Sequence, residues 1–438
     1  MQYRTLAAST AAVIAATTLL SGCGSPDGGG DEPAASGPAS LTYWAWAPGL
    51  DKVADIWNKG PGKEAGITVT VKKQASGDDL VTKIITAAKA GKAPDLVQAE
   101  YQALPTLVSN DVLADISEEA GDAEGEFADG IWQQATLGSD ALYALPQDSG
   151  PLMFYYRQDL FEQYGLTVPT TWDEFAGTAR ALKEKAPDKD LTTFSSNDSG
   201  LFAGLAQQAG AKWWTTDGDK WKVAIDDPAT RKVADFWGGL VKEGAIDNQP
   251  MYTPAWNKAL DTGKQIAWVS AVWAPGTLTT AAPATKGKWA MAPLPQWTAG
   301  ENVTGSWGGS STAVTGDSRN KKAAATFAKW LNTDPTALAA LVKESGVYPA
   351  ATAAQTGGAL AKAPDYFSNQ PAFYTEAARI AQGTAPAAWG PNVNVAYSAF
   401  KDNFAAAAKN KADFGPALTA MQDATVADLK KQGFGVSQ

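Results

Sequence analysis

Leu41-Thr42-Tyr43-Trp44-Ala45-Trp46-Ala47 opens the stretch on which the fold turns, and Pro94-Asp95-Leu96-Val97 closes it. Residues 41–47 read as a strand with Thr42, Trp44 and Trp46 on one face. Leu50, Val53, Ile56 and Trp57 then follow helical spacing. Residues 67–72 form a second strand and residues 79–90 a second helix, before Pro94 opens the third strand. Strand, helix, strand, helix, strand predicts a parallel, doubly wound α/β sheet. In such sheets ligands sit beyond the carboxyl ends of the strands. That rule points to Trp46, to residues 74–78, and to Glu100 and Tyr101.

Past Pro146 the chain enters another unit. Residues 151–156 read as a strand, and Thr171-Trp172-Asp173-Glu174 is a capping-box pattern that opens a helix. Residues 213–225 resemble a hairpin around Asp217-Gly218. Residues 232–242 are helical with Trp237 facing inward, and 265–272 form a buried strand ending in Trp273. A Gly/Ser-rich strand region follows at 304–314 and a helix at 321–331. From Ala372 the chain is mostly helical, ending with residues 418–431. No internal repeat emerges.

Upstream of the first strand lies an address rather than a fold. Residues 6–20 are an uncharged, small-and-apolar run behind Arg4. Such a run falls short of the ~20 residues a membrane span needs and suits a signal peptide. It ends at Leu20-Ser21-Gly22-Cys23, the pattern of bacterial lipoproteins, in which the cysteine is acylated and becomes the first mature residue. Residues 1–22 are therefore expected to be a signal peptide and Cys23 a lipidation site. Two or more acyl chains anchor a protein stably, so the expected location is the outer face of the cytoplasmic membrane. Residues 24–40, rich in Gly, Pro, Ser and acid, read as a flexible tether.

Composition narrows the chemistry. A length of 438 residues exceeds what one core usually serves, and a formal charge of -10 argues against nucleic acid as a partner. The chain has no histidine and a single cysteine. Those two facts remove the commonest general base, Ser-His or Cys-His pairs, thiolate metal clusters and internal disulfides. No catalytic residue, metal or cofactor is expected. The seventeen tryptophans outnumber both tyrosine and phenylalanine. Sugar rings carry a C–H face that an indole can cover, and a hydroxyl rim that carboxylates, amides and backbone N–H groups can satisfy. Covering half of a ~200 Å² indole contributes at most about 2.5 kcal/mol. Two such platforms with a bonded rim suffice for micromolar affinity, about -8 kcal/mol.

The most specific motif runs from Tyr143-Ala144-Leu145-Pro146-Gln147-Asp148 through Tyr156-Arg157-Gln158-Asp159-Leu160-Phe161 to Val168-Pro169-Thr170-Thr171-Trp172-Asp173-Glu174-Phe175. It resembles the signature of the family-1 extracellular solute-binding proteins, the maltose-binding-protein-like group, with Arg157-Gln158 in place of the usual Asn-Lys. Three further segments agree: 263–273, Ala292-Pro293-Leu294-Pro295 with Gly305-Ser306-Trp307-Gly308-Gly309, and Ser345-Gly346-Val347-Tyr348-Pro349. The resemblance implies a two-lobed, type II periplasmic-binding-protein-like fold, each lobe an α/β sheet with flanking helices and the ligand cleft between. By analogy the first lobe would hold 41–147 plus 297–345, and the second 148–296 plus 346–438. It also implies a monomer that captures a sugar, expected to be an oligosaccharide, and delivers it to the permease subunits of an ABC transporter.

Ten residues are candidates for the sugar site. Trp273 follows a buried strand, where the family places a stacking aromatic. Trp46 ends the first strand, Trp307 adjoins Gly308, whose missing side chain lets a ligand approach backbone N–H groups, and Trp389 lies in a loop-like segment. Polar candidates are Glu100 and Tyr101 past the third strand, Asp148 at the first crossing, and the loop pair Asn197 and Asp198. Trp57, Trp172, Trp237 and Trp330 are expected to be structural. Two competing readings are a glycoside hydrolase using a carboxylate pair such as Glu100 and Asp148, and a surface lectin without an importer.

Overall fold

The structure, a computed structural model, describes residues 38–75, 78–218 and 220–437. The signal-like run, Cys23 and most of the tether lie outside the described residues. In chain order the strands are β1 (Ala39–Ala45), β2 (Ile67–Lys73), β3 (Leu96–Glu100), β4 (Ala144–Pro146), β5 (Leu152–Arg157) and β6 (Trp214–Asp217). They continue as β7 (Lys220–Val223), β8 (Ala267–Ala271), β9 (Trp289–Pro293), β10 (Ser310–Val314) and β11 (Val436–Ser437).

The first sheet has the order β2-β1-β3-β10-β4. β1 runs parallel to both β2 and β3, each joined to the next by helix. β10 is antiparallel to β3 and to β4, so the expected parallel sheet is parallel across three strands only. A helical crossover makes neighbours parallel. β10 instead arrives from the other lobe, where that constraint does not act. Along β1, Ala39, Leu41, Tyr43 and Ala45 are buried while Thr42 and Trp44 alternate on a half-buried face. The strand takes in Ala39 and Ser40, expected in the tether, and ends at Ala45, so Trp46 follows it rather than ending it. Lys83 covers the Trp44 ring, its ammonium 4.8 Å from the centroid.

The helix Leu50–Lys59 buries Leu50, Val53, Ala54 and Trp57. Ile56, expected on that face, is instead 37% exposed. At 100° per residue it falls outside the stripe centred on Leu50 and Trp57, and Ala54 takes its place. Trp57 packs edge-on against Phe327 and tilts against Trp330, within a core that draws on 39–145 and 313–351.

A larger core gathers residues 152–307 and 348–429 around an antiparallel sheet β8-β5-β9. Thr171 and Glu174 form the expected capping box at the start of the helix Trp172–Lys185. Trp172 is buried against Phe175, Trp237 and Trp297. Trp297 and Trp307 both pack with this larger core, beyond the crossover expected at 297. β6 and β7 make the expected hairpin, joined by β11 on the β7 edge. Among the described residues no helix is long and apolar enough to cross a membrane.

Three chain segments run side by side between the two cores. Gln147 N–H and Asp148 N–H both donate to the Ser310 carbonyl, at 2.9 and 3.1 Å. Trp307 N–H donates to Gly150 O at 2.8 Å, Ser149 N–H to Tyr348 O at 3.0 Å, and Ala350 N–H to Gln147 O at 3.1 Å. The crossings near Pro146 and Pro349 are thus joined by a third through 305–310. This laced ribbon forms the back of the space between the lobes.

Candidate ligand cleft

In front of the ribbon lies a cavity of about 300 Å³, at the small end of the range for ligand pockets. Glu100 reaches it from the carboxyl end of β3, with Gln102 on the following turn. Gln134 comes from the helix Asp129–Thr136 of the same lobe. The opposite wall is the start of the helix Ser199–Gln208, with Asn197 and Asp198 just before it. Tyr397 and Lys401, one helical turn apart on Val393–Lys409, add a phenol and an ammonium. Ser306, Trp307 and Gly308 supply the back, and Trp389 a side.

Each wall has a local cause. Asp198 is the N-cap of its helix and accepts from Leu201 N–H at 3.1 Å. Asn197 donates to Met251 O at 3.2 Å and is bonded to Ser195 Oγ. Burial raises the Asp198 carboxyl to about 6, against the lowering influence of the Leu201 N–H and the Lys401 charge. Gly308 and Gly309 adopt φ of +74° and +99°, which side-chain-bearing residues rarely do. A Cβ on Gly309 would also lie 2.9 Å from the Tyr101 ring. Trp307 fills the space above Gly200, where a Cβ would meet the indole at 2.9 Å.

Of the ten sequence candidates, Glu100, Asn197, Asp198, Trp307, Gly308 and Trp389 line this one cavity. The other four do not. Asp148 is half-buried in the ribbon, where both carboxylate oxygens accept from Ser310, from N–H at 2.8 Å and Oγ at 2.6 Å. Desolvation raises its pKa to about 6, although the Ser310 bonds pull the other way. Tyr101 is 1% exposed and donates its hydroxyl to Asp148 O at 2.9 Å. Both residues clamp the crossing rather than face the cavity. Trp46 shares a small crevice with Leu80, Ile84 and Glu100, and its backbone N–H donates to the buried Gln98 at 3.0 Å. Trp273 stands behind Trp307, donating its indole N–H to the Trp307 carbonyl at 3.0 Å.

Exposure ranks the indoles. Trp307 is 8% exposed. Of a side chain of roughly 250 Å² that leaves about 20 Å², or about 0.5 kcal/mol of further burial. Trp389 is half-buried and packs against both cores, so it has more free ring to offer. Its indole N–H donates across the mouth to Gln134 Oε1 at 3.1 Å, and Thr106 Oγ1 donates to Pro391 O at 2.9 Å nearby. These bonds join the two lobes at the mouth of the cleft.

Gln102, Gln134, Tyr397 and Lys401 were not found from sequence. Tyr397 and Lys401 carry an i,i+4 signal on one helix face, in the helix that follows Trp389. Tyr252 was missed too. It is 46% exposed, holds an unfavourable φ of +63°, and its ring lies 6.5 Å from Trp307 and 5.3 Å from Trp256. It lines none of the cavities described, and its link to the cleft is the ring contact with Trp307.

Known proteins share this architecture. The chain matches the family described as bacterial extracellular solute-binding protein over residues 38–338. It is 29% identical over 240 residues to the lactose-binding protein of Rhizobium radiobacter, covering 52% of this chain and only 54% of that relative. The galacto-N-biose/lacto-N-biose I-binding protein of an ABC transporter from Bifidobacterium longum, solved with lacto-N-biose, overlays with a TM-score of 0.81 at 28% identity. That overlay covers 92% of this chain and 100% of the solved one. An ABC transporter associated binding protein of B. animalis subsp. lactis, solved with β-1,6-galactobiose, gives 0.76 at 26% identity, covering 91% and 99%. The family match takes in the first sheet, two of the three ribbon segments and the 152–307 part of the larger core, and the chain belongs to the bacterial extracellular solute-binding proteins.

Proposed function

We propose that this protein captures a short oligosaccharide between its lobes and presents it to the permease of an ABC importer. The observation that carries the reading is the ~300 Å³ cavity itself, where a half-buried indole faces carboxylates, amides and a lysine. Its rim holds acceptors in Glu100 and Asp198, and donors in Lys401 and in Gln102, whose amide also donates to Glu100 Oε2 at 2.9 Å. That combination matches the alternating donor and acceptor demands of sugar hydroxyls. Three of the relatives are named for galactose-containing disaccharides, and others for arabino-oligosaccharide and mannitol, so their names support a sugar ligand. In this reading a monomer works outside the cytoplasmic membrane, tethered through acylated Cys23. The support for the tether is the Leu-Ser-Gly-Cys pattern after the apolar run.

The hydrolase alternative loses its proposed pair. Both Asp148 oxygens are occupied by Ser310, and Asp148 does not join Glu100 in the cavity wall. A thermal-shift panel of mono-, di- and oligosaccharides tests the binding reading. Ligand present at ~100 times its Kd adds about 2.7 kcal/mol of stability. A clear upward shift of the midpoint with one disaccharide or longer sugar is expected, without turnover of that sugar. A panel that moves nothing, or release of monosaccharide, contradicts it.

A further inference from the structure

A second cavity, about 470 Å³, lies beyond the Trp389–Gln134 contact, and both residues belong to its wall as well as to the first. One side is the first lobe, through Ser109 and Leu137. The other is the hairpin β6–β7, through Trp214, Thr215 and Trp221, with Pro386 and Phe434 beside it. Three indoles thus meet at this cavity, with hydroxyls at Ser109 and Thr215. Trp214 is fully buried, and its indole N–H has no hydrogen-bond partner in the protein. That indole packs against Gly390, where a Cβ would run into Nε1, so Trp214 backs the wall rather than bonding a ligand. Trp221 is half-buried and offers ring surface.

We infer that this second cavity is an extension subsite for the same sugar chain, taking the residues that continue past Trp389. The inference rests on the oligosaccharide reading above. Adjacency is its main support, since only the bonded pair Trp389 and Gln134 stands between the two spaces and walls both. The chemistry is the second support. Aromatic faces with scattered hydroxyls suit further pyranose rings better than a lipid or a peptide, and the near-neutral lining, with Lys212 alone charged, suits an uncharged chain. Trp389 then serves as the shared platform, and the Gln134 bond holds its ring at the junction. The ligand class is a neutral oligosaccharide of three residues or more, longer than the first cavity needs.

The test is calorimetric titration of the full mature chain with two ladders of neutral sugars. These are β-1,6-galacto-oligosaccharides and β-1,3-linked lacto-series oligosaccharides, each from two to five residues. The wild type should bind a tri- or tetrasaccharide about 10-fold or more tighter than the disaccharide of its ladder. Trp221→Ala should abolish that gain and leave the disaccharide within about 2-fold. Ser109→Trp, at an exposed position whose hydroxyl bonds only within its own helix, should do the same by filling the space. It stands in if Trp221→Ala does not fold. Affinity flat with length in the wild type, a length gain that survives both variants, or equal loss for short and long sugars would overturn the subsite. Wild-type protein that binds no member of either ladder would instead overturn the oligosaccharide reading, and the extension with it.

Discussion

The Trp273 indole N–H donates to the Trp307 carbonyl at 3.0 Å, and the two rings meet edge to face with centroids 4.7 Å apart. Trp273 therefore supports the segment Trp307-Gly308 from behind the cavity. Trp273→Phe keeps a ring edge against Trp307 and loses the bond, which should cost about 1 kcal/mol of stability. Sugar affinity should stay within about 3-fold, since the cavity wall is preserved. Urea midpoints and calorimetry on the one variant check both. An affinity loss above ~10-fold at unchanged stability would make Trp273 itself a ligand contact.

Trp389 should behave in the opposite way. Its ring is half-buried in a loop, so Trp389→Ala should leave stability within about 1.5 kcal/mol while removing a stacking face worth about 1.5–2.5 kcal/mol. That corresponds to roughly 10- to 100-fold in Kd. Gln134→Ala, which removes the bond across the mouth and one amide from the wall but leaves the ring, should cost about 0.5–1.5 kcal/mol of binding. Titration of both variants with one disaccharide separates the ring from the bond.

Asp198 sets a pH dependence. Its folded pKa is raised to about 6 from 3.8, so between those values the folded state binds more protons than the unfolded state. Its contribution to stability is therefore largest below pH 4, falls as pH rises through 6, and is flat above. Asp198→Asn keeps an oxygen to cap Leu201 N–H and cannot titrate. The variant should gain on the wild type by about 1–2 kcal/mol more at pH 7 than at pH 4, allowing for the partial exposure of the site. Denaturant midpoints at the two pH values check it, and a pH-independent difference would contradict it. Asp148, raised to about 6 in the ribbon, adds the same slope to both proteins and cancels in the comparison.

The outer parts of the fold were legible because they obey short periods. β1, β2 and β3 with their helices follow alternation and the 3.6 repeat, and the Thr171 capping box is a local pattern. The antiparallel insertion of β10 was not legible, because strand direction is decided by a connection through the other lobe. Site prediction divided similarly. Glu100, at the end of a strand, followed from topology. Asp148 and Tyr101 carry the same residue types, but a neighbouring Ser310 hydroxyl and a backbone carbonyl absorb their polar atoms. Those partners lie far away in sequence. Tyr252 depends on a left-handed backbone angle, which residue type conceals.

Cys23 should govern where the protein resides. Cys23→Ser should leave an unprocessed or shed product with no incorporated palmitate, whereas the wild type should partition with membranes. Fractionation and metabolic labelling report this directly, and unchanged membrane retention of the variant would exclude anchoring through that thiol.

A sugar held in the cavity shared by Glu100, Asp198 and Trp389 should depend on the Glu100 carboxylate. Calorimetric titration of wild type and Glu100→Gln with lacto-N-biose and β-1,6-galactobiose tests it most directly. The account predicts saturable binding of at least one disaccharide near micromolar Kd, about -8 kcal/mol. Glu100→Gln should weaken it by about 1.5–3 kcal/mol, the range of a bond to a charged acceptor, or roughly 10- to 150-fold. Saturable wild-type binding that Glu100→Gln leaves unchanged would place the sugar elsewhere and contradict the account.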